Sequence, residues 1–321
     1  MAPHKQQKEY VAALDIGSNS FHLIIAQVHR DGSFTVLNRE KAVLRLGSIH
    51  PDGFTYIKPE DIAHAVRLIK HALRVADLYH TGIRIVSTSA VRESVNRDEF
   101  ITAVRTETGC EIEVIDGKTE AGLIYQGIIH GVPAKHEKIL AFDIGGGSTE
   151  FILGENGKPN FLTSVPLGAV RLSRMFFPDF IVREGAVELC KKHIVAILDD
   201  VKKHTDASDF HLVIGSAGTV KSCMQVAEAN AFMPKREGMF RKLSPAAMQS
   251  VLQLLLASPT PEQRNAIPGL ESKRADIAPV GALILSSIFQ HLGIQEVIYS
   301  DFALREGVIL DTISKLKKHE S

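Results

Sequence analysis

Residues 13–25, A-L-D-I-G-S-N-S-F-H-L-I-I, return at 141–153 as A-F-D-I-G-G-G-S-T-E-F-I-L. At a constant offset of 128, six of the thirteen positions are identical without a gap. An apolar run, an Asp, a turn of small residues and a second apolar run read as strand–turn–strand. Two such copies so far apart imply two related domains rather than a short-period solenoid. In the second copy Asp143 ends the apolar run 138–142, and Gly145, Gly146, Gly147 and Ser148 follow. Glycines place no Cβ in the way, so successive backbone N–H groups can converge on an anion. A phosphate cradle beside a carboxylate points to metal-assisted phosphate chemistry. An ordinary hairpin turn with a capping Asp is the alternative.

Around the two copies the pattern is α/β. In the first half, strands are expected at 10–14, 21–28 and 34–37, with Asp31-Gly32 as a hairpin signal. Lys58-Pro59-Glu60-Asp61 opens a helix whose apolar residues recur at helical spacing to Ala76. The strand 83–86 runs into a polar loop, Ser87 to Arg92. Such loops carry ligand contacts in α/β proteins. Arg92 reads equally as a phosphate partner or as a solvated helix-start residue. Glu120 falls in the first turn of a helix opening at Lys118, where an acid also suits the helix dipole. In the second half, helices are expected at 183–204, 245–257, 275–292 and 302–316. The strand 212–214 leads into Gly215-Ser216-Ala217-Gly218-Thr219, a second glycine turn able to hold a phosphate or approach a nucleoside. Residues 229–242 read as an irregular loop.

Composition narrows the partners. Lys+Arg and Asp+Glu balance at 37 each, so global charge favours neither a nucleic acid nor a membrane. Three scattered cysteines, Cys110, Cys190 and Cys223, suit a reducing cytoplasm rather than a disulfide framework. The polar N-terminus is not a signal peptide, and no run of 18 apolar residues spans a membrane.

Six motifs occur in order: A-L-D-I-G-S-N-S-F-H-L, S-T-S-A-V-R-E-S-V-N, G-K-T-E-A-G-L-I-Y-Q-G, F-D-I-G-G-G-S-T-E, G-S-A-G-T and F-A-L-R-E-G-V. Together they resemble the exopolyphosphatase / guanosine pentaphosphate phosphohydrolase family in its short, two-domain form. The resemblance runs from about Tyr10 to Leu310. It implies two actin-like (ribonuclease H-like) domains with the active site in the cleft between them. Residues 1–122 with a C-terminal helix 303–321 would form one domain and 123–302 the other.

The resemblance also implies roles. Glu120 matches the glutamate that activates water. Asp143 matches the catalytic carboxylate that helps hold the water or a divalent cation, Mg²⁺ or Mn²⁺, and Glu150 a nearby acid implicated in metal binding. Gly145, Gly146, Gly147 and Ser148 match one phosphate loop, and Asp15, Ser18, Asn19 and Ser20 the facing one. Arg92 matches a substrate-phosphate contact, Gly215 and Ser216 belong to a further phosphate contact, and Arg45 and Arg171 extend the anion track. Lys118-Thr119 stand where acids are common in the family, and Phe302 where a small residue is common. The implied reaction is hydrolysis of the terminal phosphoanhydride of polyphosphate, or of the 5′-terminal phosphate of pppGpp, by a cytoplasmic homodimer. An actin-like small-molecule kinase and a non-catalytic polyphosphate or nucleotide sensor are the other classes.

Overall fold

The computed structural model describes residues 9–49, 55–134, 137–205, 210–234 and 240–320. The N-terminal residues 1–8 and the centre of the expected loop 229–242 lie outside the described residues. The chain divides into two units. One runs to Asp116 and resumes at Leu304, and the other is Gly117–Ala303.

In the first unit β1 (Glu9–Ile16) turns at the D-I-G-S-N-S segment into β2 (Ser20–Val28), and Asp31-Gly32 turns β2 into β3 (Phe34–Val43). Gly32 takes φ 89°, as the hairpin requires. β3 is much longer than the expected 34–37, because its polar and charged residues pair along the whole of β2. β4 (Ser48–Ile49) and β5 (Thr55–Tyr56) form a small ribbon. Then come α1 (Pro59–Asp77), β6 (Ile83–Ser87), α2 (Ser89–Arg92), α3 (Arg97–Thr108) and β7 (Glu113–Val114). Pro59 at the first helical position and the acids Glu60 and Asp61 start α1. Gly109 ends α3 in the left-handed conformation. The sheet order is β3-β2-β1-β6-β7. Ala12, Leu14 and Ile16 of β1 pack with α1 and α3 in one core.

The second unit begins with α4 (Gly117–Gly131), followed by β8 (Ile139–Ile144), β9 (Thr149–Glu155) and β10 (Lys158–Val165). β10 was not anticipated, although Asn156-Gly157 at its start is a hairpin signal and both residues take positive φ. α5 (Ala169–Phe176), α6 (Glu184–Lys202), β11 (Leu212–Ser216), α7 (Ala217–Ala229), β12 (Lys242–Leu243), α8 (Pro245–Leu256), α9 (Pro261–Asn265), α10 (Ala278–His291) and β13 (Val297–Tyr299) complete it. The Pro259-Thr260-Pro261 stretch starts α9 through a capping box of Thr260 and Gln263. The final helix, α11 (Leu304–Glu320), returns to the first unit and packs on β1 and β2.

The second sheet has the order β10-β9-β8-β11-β13-β12. Its first five strands repeat the order of the first sheet. In each, an antiparallel meander is extended by two parallel strands. The sequence repeat is thus a repeat of topology. Side chains alternate across a strand. Leu140, Phe142 and Ile144 of β8 therefore join the core with α6, α7, α8 and α10. Asp143, between the last two, is left on the opposite face, where α4 packs.

Candidate active site

Glu120, Asp143 and Glu150 are gathered in the second unit. All are buried, at 5%, 8% and 1% exposure. The unit boundary lies a few residues before the expected 122/123, so Glu120 belongs with the other two acids. The local cause is Gly117. A Cβ there would stand 2.4 Å from the Cβ of Ser164, so only glycine lets the start of α4 press onto β10.

Asp143 and Glu150 face each other across the β8–β9 pair. Glu150 accepts a hydrogen bond from Ser164 Oγ at 2.7 Å. Burial, then the charges of Glu120 and Asp143, push its carboxyl well above the ordinary value of 4.5, while Ser164 and Ser148 hydroxyls oppose that shift. Asp143 Oδ2 accepts from Ser216 Oγ at 2.7 Å.

The glycine turn is held by its carbonyls. Gly145 N–H donates to Ser148 O at 3.0 Å, closing the turn. Ala169 N–H donates to Gly145 O at 3.1 Å, and the amides of Val170 and Arg171 donate to Gly146 O at 2.9 and 3.0 Å. Arg171 Nε donates to Gly147 O at 2.6 Å. In a trans peptide the amide of the following residue points opposite to the carbonyl. With three carbonyls directed at the start of α5, the amides of Gly146, Gly147 and Ser148 point the other way, as an anion cradle needs. Gly168 makes this approach possible, since a Cβ on it would stand 2.2 Å from Gly146 O. Arg171, expected along the anion track, braces the cradle from behind.

The first unit repeats the turn. Gly17 N–H donates to Ser20 O at 3.1 Å, the counterpart of the Gly145–Ser148 bond. Ser18 Oγ meets Ser89 Oγ at 2.9 Å, and Ser20 Oγ meets His22 Nε2 at 2.8 Å. Asp15 lies between Val86 and His22 in the sheet register. The carbonyl of Asn19 accepts from Leu44 N–H at 3.2 Å, which places half-buried Arg45 next in chain to that contact. Arg92 is the last residue of α2 and donates from Nη1 to Ile115 O at 2.9 Å.

The other two expected phosphate contacts, Gly215 and Ser216, are the last residues of β11. Gly215 faces the core, where a Cβ would meet Val297 and Phe142 at 2.9 and 3.0 Å. Ser216 turns its hydroxyl to Asp143. Ser164 went unread in the sequence, and Ser89 was read only as part of the polar loop from Ser87 to Arg92. The Asn156-Gly157 hairpin signal alone would have set Thr163 opposite Glu150; a one-residue register shift between Pro159 and Phe161 brings Ser164 there instead.

Among the described residues no three His, Cys, Asp or Glu side chains gather at metal-ligand spacing. Magnesium needs only one or two carboxylates when substrate oxygens and water complete its shell. The acids around Asp143 fit an ion of that kind. Among the described residues no helix is long and apolar enough to cross a membrane.

Residues 24–316 match the Ppx/GppA phosphatase family. A curated Haemophilus influenzae protein named "Putative exopolyphosphatase" is 33% identical over 307 residues, covering 95% of this chain and 92% of that one. The crystal structure of a Cytophaga hutchinsonii exopolyphosphatase is similar, with a TM-score of 0.85, 26% identity, and coverage of 96% of this chain and 98% of that one. The Aquifex aeolicus Ppx/GppA family member shares the fold, with a TM-score of 0.77, 24% identity, and coverage of 98% and 100%. Both units thus have the actin-like α/β architecture of those proteins.

Proposed function

The chain belongs to the Ppx/GppA phosphatase family, and from that premise we propose that it is an exopolyphosphatase, moving the terminal phosphoryl of a linear phosphoanhydride chain to water. The observation that carries the chemistry is the convergence of Glu120 on the Asp143–Glu150 pair within one unit. The choice of polyphosphate rests on the names of the relatives.

Glu120 orients the attacking water and accepts its proton as the bond forms. The transition state of phosphoryl transfer is loose, so a carboxylate need not be a strong base. The amides of Gly146, Gly147 and Ser148 receive the equatorial oxygens of the transferred group. A divalent cation held by Asp143, with Glu150 behind it, would neutralise charge growing on the leaving phosphate. The Asp15–Ser20 turn is a second phosphate loop of the same construction.

The test is phosphate release from long-chain polyphosphate, pppGpp and ATP, with and without Mg²⁺, by the wild type and by Glu120→Gln. The expected result is metal-stimulated release, strongest from polyphosphate. Glu120→Gln is expected to lose roughly 10²–10³-fold or more in kcat with little change in KM. Wild-type-like hydrolysis by that variant would sink the assignment. A higher kcat/KM on pppGpp would move it to the pentaphosphate hydrolase.

A further inference from the structure

Four side chains of the second unit form one row across its sheet. Ser164 pairs with Glu150, Glu150 with Asp143, and Asp143 with Ser216, on β10, β9, β8 and β11. Directly paired residues project to the same face. Both ends of the row are closed by hydroxyls, Ser164 Oγ to Glu150 Oε1 and Ser216 Oγ to Asp143 Oδ2, each at 2.7 Å.

The same row in the first unit reads Lys41, His22, Asp15 and Val86. Val86 therefore stands where Ser216 stands, beside an Asp that ends the same kind of strand and opens the same kind of turn. The fold does not need a hydroxyl at this place; valine serves. Ser216 is nonetheless fully buried, at 0% exposure. Burying a hydroxyl carries a desolvation cost that its hydrogen bond must offset. Its second contact, to Phe142 O, is longer at 3.3 Å, so the Asp143 carboxylate is its principal partner.

The geometry points to Ser216 as a positioning residue of the reaction. It commits Oδ2 of Asp143 to the protein and so fixes the plane in which the carboxylate meets a cation or the phosphoryl group. This assignment rests on the reading of Asp143 in the preceding subsection. It also moves Ser216 from touching substrate to acting through Asp143. Groups that orient a metal-binding side chain are typically worth about 10–100-fold in metal affinity or activity.

The experiment compares Ser216→Ala, Ser216→Val and Ser216→Thr. Val and Thr have the same shape, so crowding by the added methyl affects both alike, and only Thr keeps the hydroxyl. The readouts are kcat and KM on polyphosphate, and Mn²⁺ affinity of the free protein by electron paramagnetic resonance. The expected result is a fall of about 10–100-fold in kcat and in Mn²⁺ affinity for Ala and Val, with KM unchanged and Thr near wild type. Ala or Val within about twofold of wild type overturns the proposal. So does a raised KM with unchanged Mn²⁺ affinity, which would return Ser216 to the substrate. If the wild type releases no phosphate from any substrate, the functional reading fails by itself. The Mn²⁺ affinities then decide this proposal: a fall for Ala and Val with Thr near wild type sustains it, and unchanged affinities overturn it.

Discussion

Replacing Glu150 by Gln tests the electrostatics of the acid row without disturbing its shape. The amide oxygen can still accept from Ser164, and the Ser148 hydroxyl, the other partner of this carboxyl, can accept from the amide nitrogen. Folded, Glu150 holds its proton well above the ordinary value of 4.5, chiefly because the carboxyl is buried and secondarily because Glu120 and Asp143 face it. Unfolded, the chain releases that proton near the ordinary value. Between the two, the native state binds one more proton than the unfolded state, so stability falls as pH rises. The slope for one proton is about 1.4 kcal/mol per pH unit. Glutamine does not titrate, so the variant lacks this slope. For a domain of this size, 1 kcal/mol shifts Tm by about 2–4 °C. Glu150→Gln is therefore expected to match the wild type below the ordinary carboxyl value. Above it, the variant gains roughly 3–6 °C per pH unit until the folded pKa is reached. The assay is thermal unfolding by circular dichroism from about pH 4 to about pH 8, with a chelator present so that no cation contributes. A gap that stays constant with pH, or one that favours the wild type as pH rises, would refute a raised pKa for buried Glu150.

Two further outcomes follow from packing. Gly168→Ala would set a Cβ 2.2 Å from Gly146 O and 2.3 Å from Gly147 C, both backbone atoms that cannot swing aside. It is expected to destabilise by about 1–3 kcal/mol in denaturant titration and to lose phosphate release, and wild-type values for both would mean that the glycine turn is not pressed onto α5. Burial pushes the thiols of Cys190 and Cys223 up to about 12, while Cys110 is half-buried and lies near the surface. A thiol reagent at about pH 8 is expected to label Cys110 first and the other two only on unfolding, and fast labelling of all three would contradict the buried placement.

Local signals placed most of the strands and helices, because glycine, proline and acidic residues act on the backbone within a few positions. Asp31-Gly32 and Pro59-Glu60-Asp61 are examples. The strand lengths were less legible. β3 runs on to Val43 because β2 offers it partners, and β10 exists because Asn156-Gly157 folds 158–165 back on β9. Neither depends on the apolar periodicity of its own residues. Among the site residues, the Gly145–Ser148 turn and its counterpart at Gly17–Ser20 were visible as a motif. The partners of Arg171, Gly215 and Ser216 were not, since each is set by a segment distant in sequence.

The chain's own pattern was enough to establish a duplicated Asp-bearing strand–turn–strand unit, a surrounding α/β architecture and a family. Those follow from residue order and from the conformations that short runs of residues prefer. It could not say that burial and two neighbouring acids raise the pKa of Glu150, that Ser216 holds Asp143, or that valine and serine occupy the same place in the two sheets. Charge state depends on burial and on neighbours brought from other elements. The partner of a side chain depends on strand register, and both exist only once the sheets have formed.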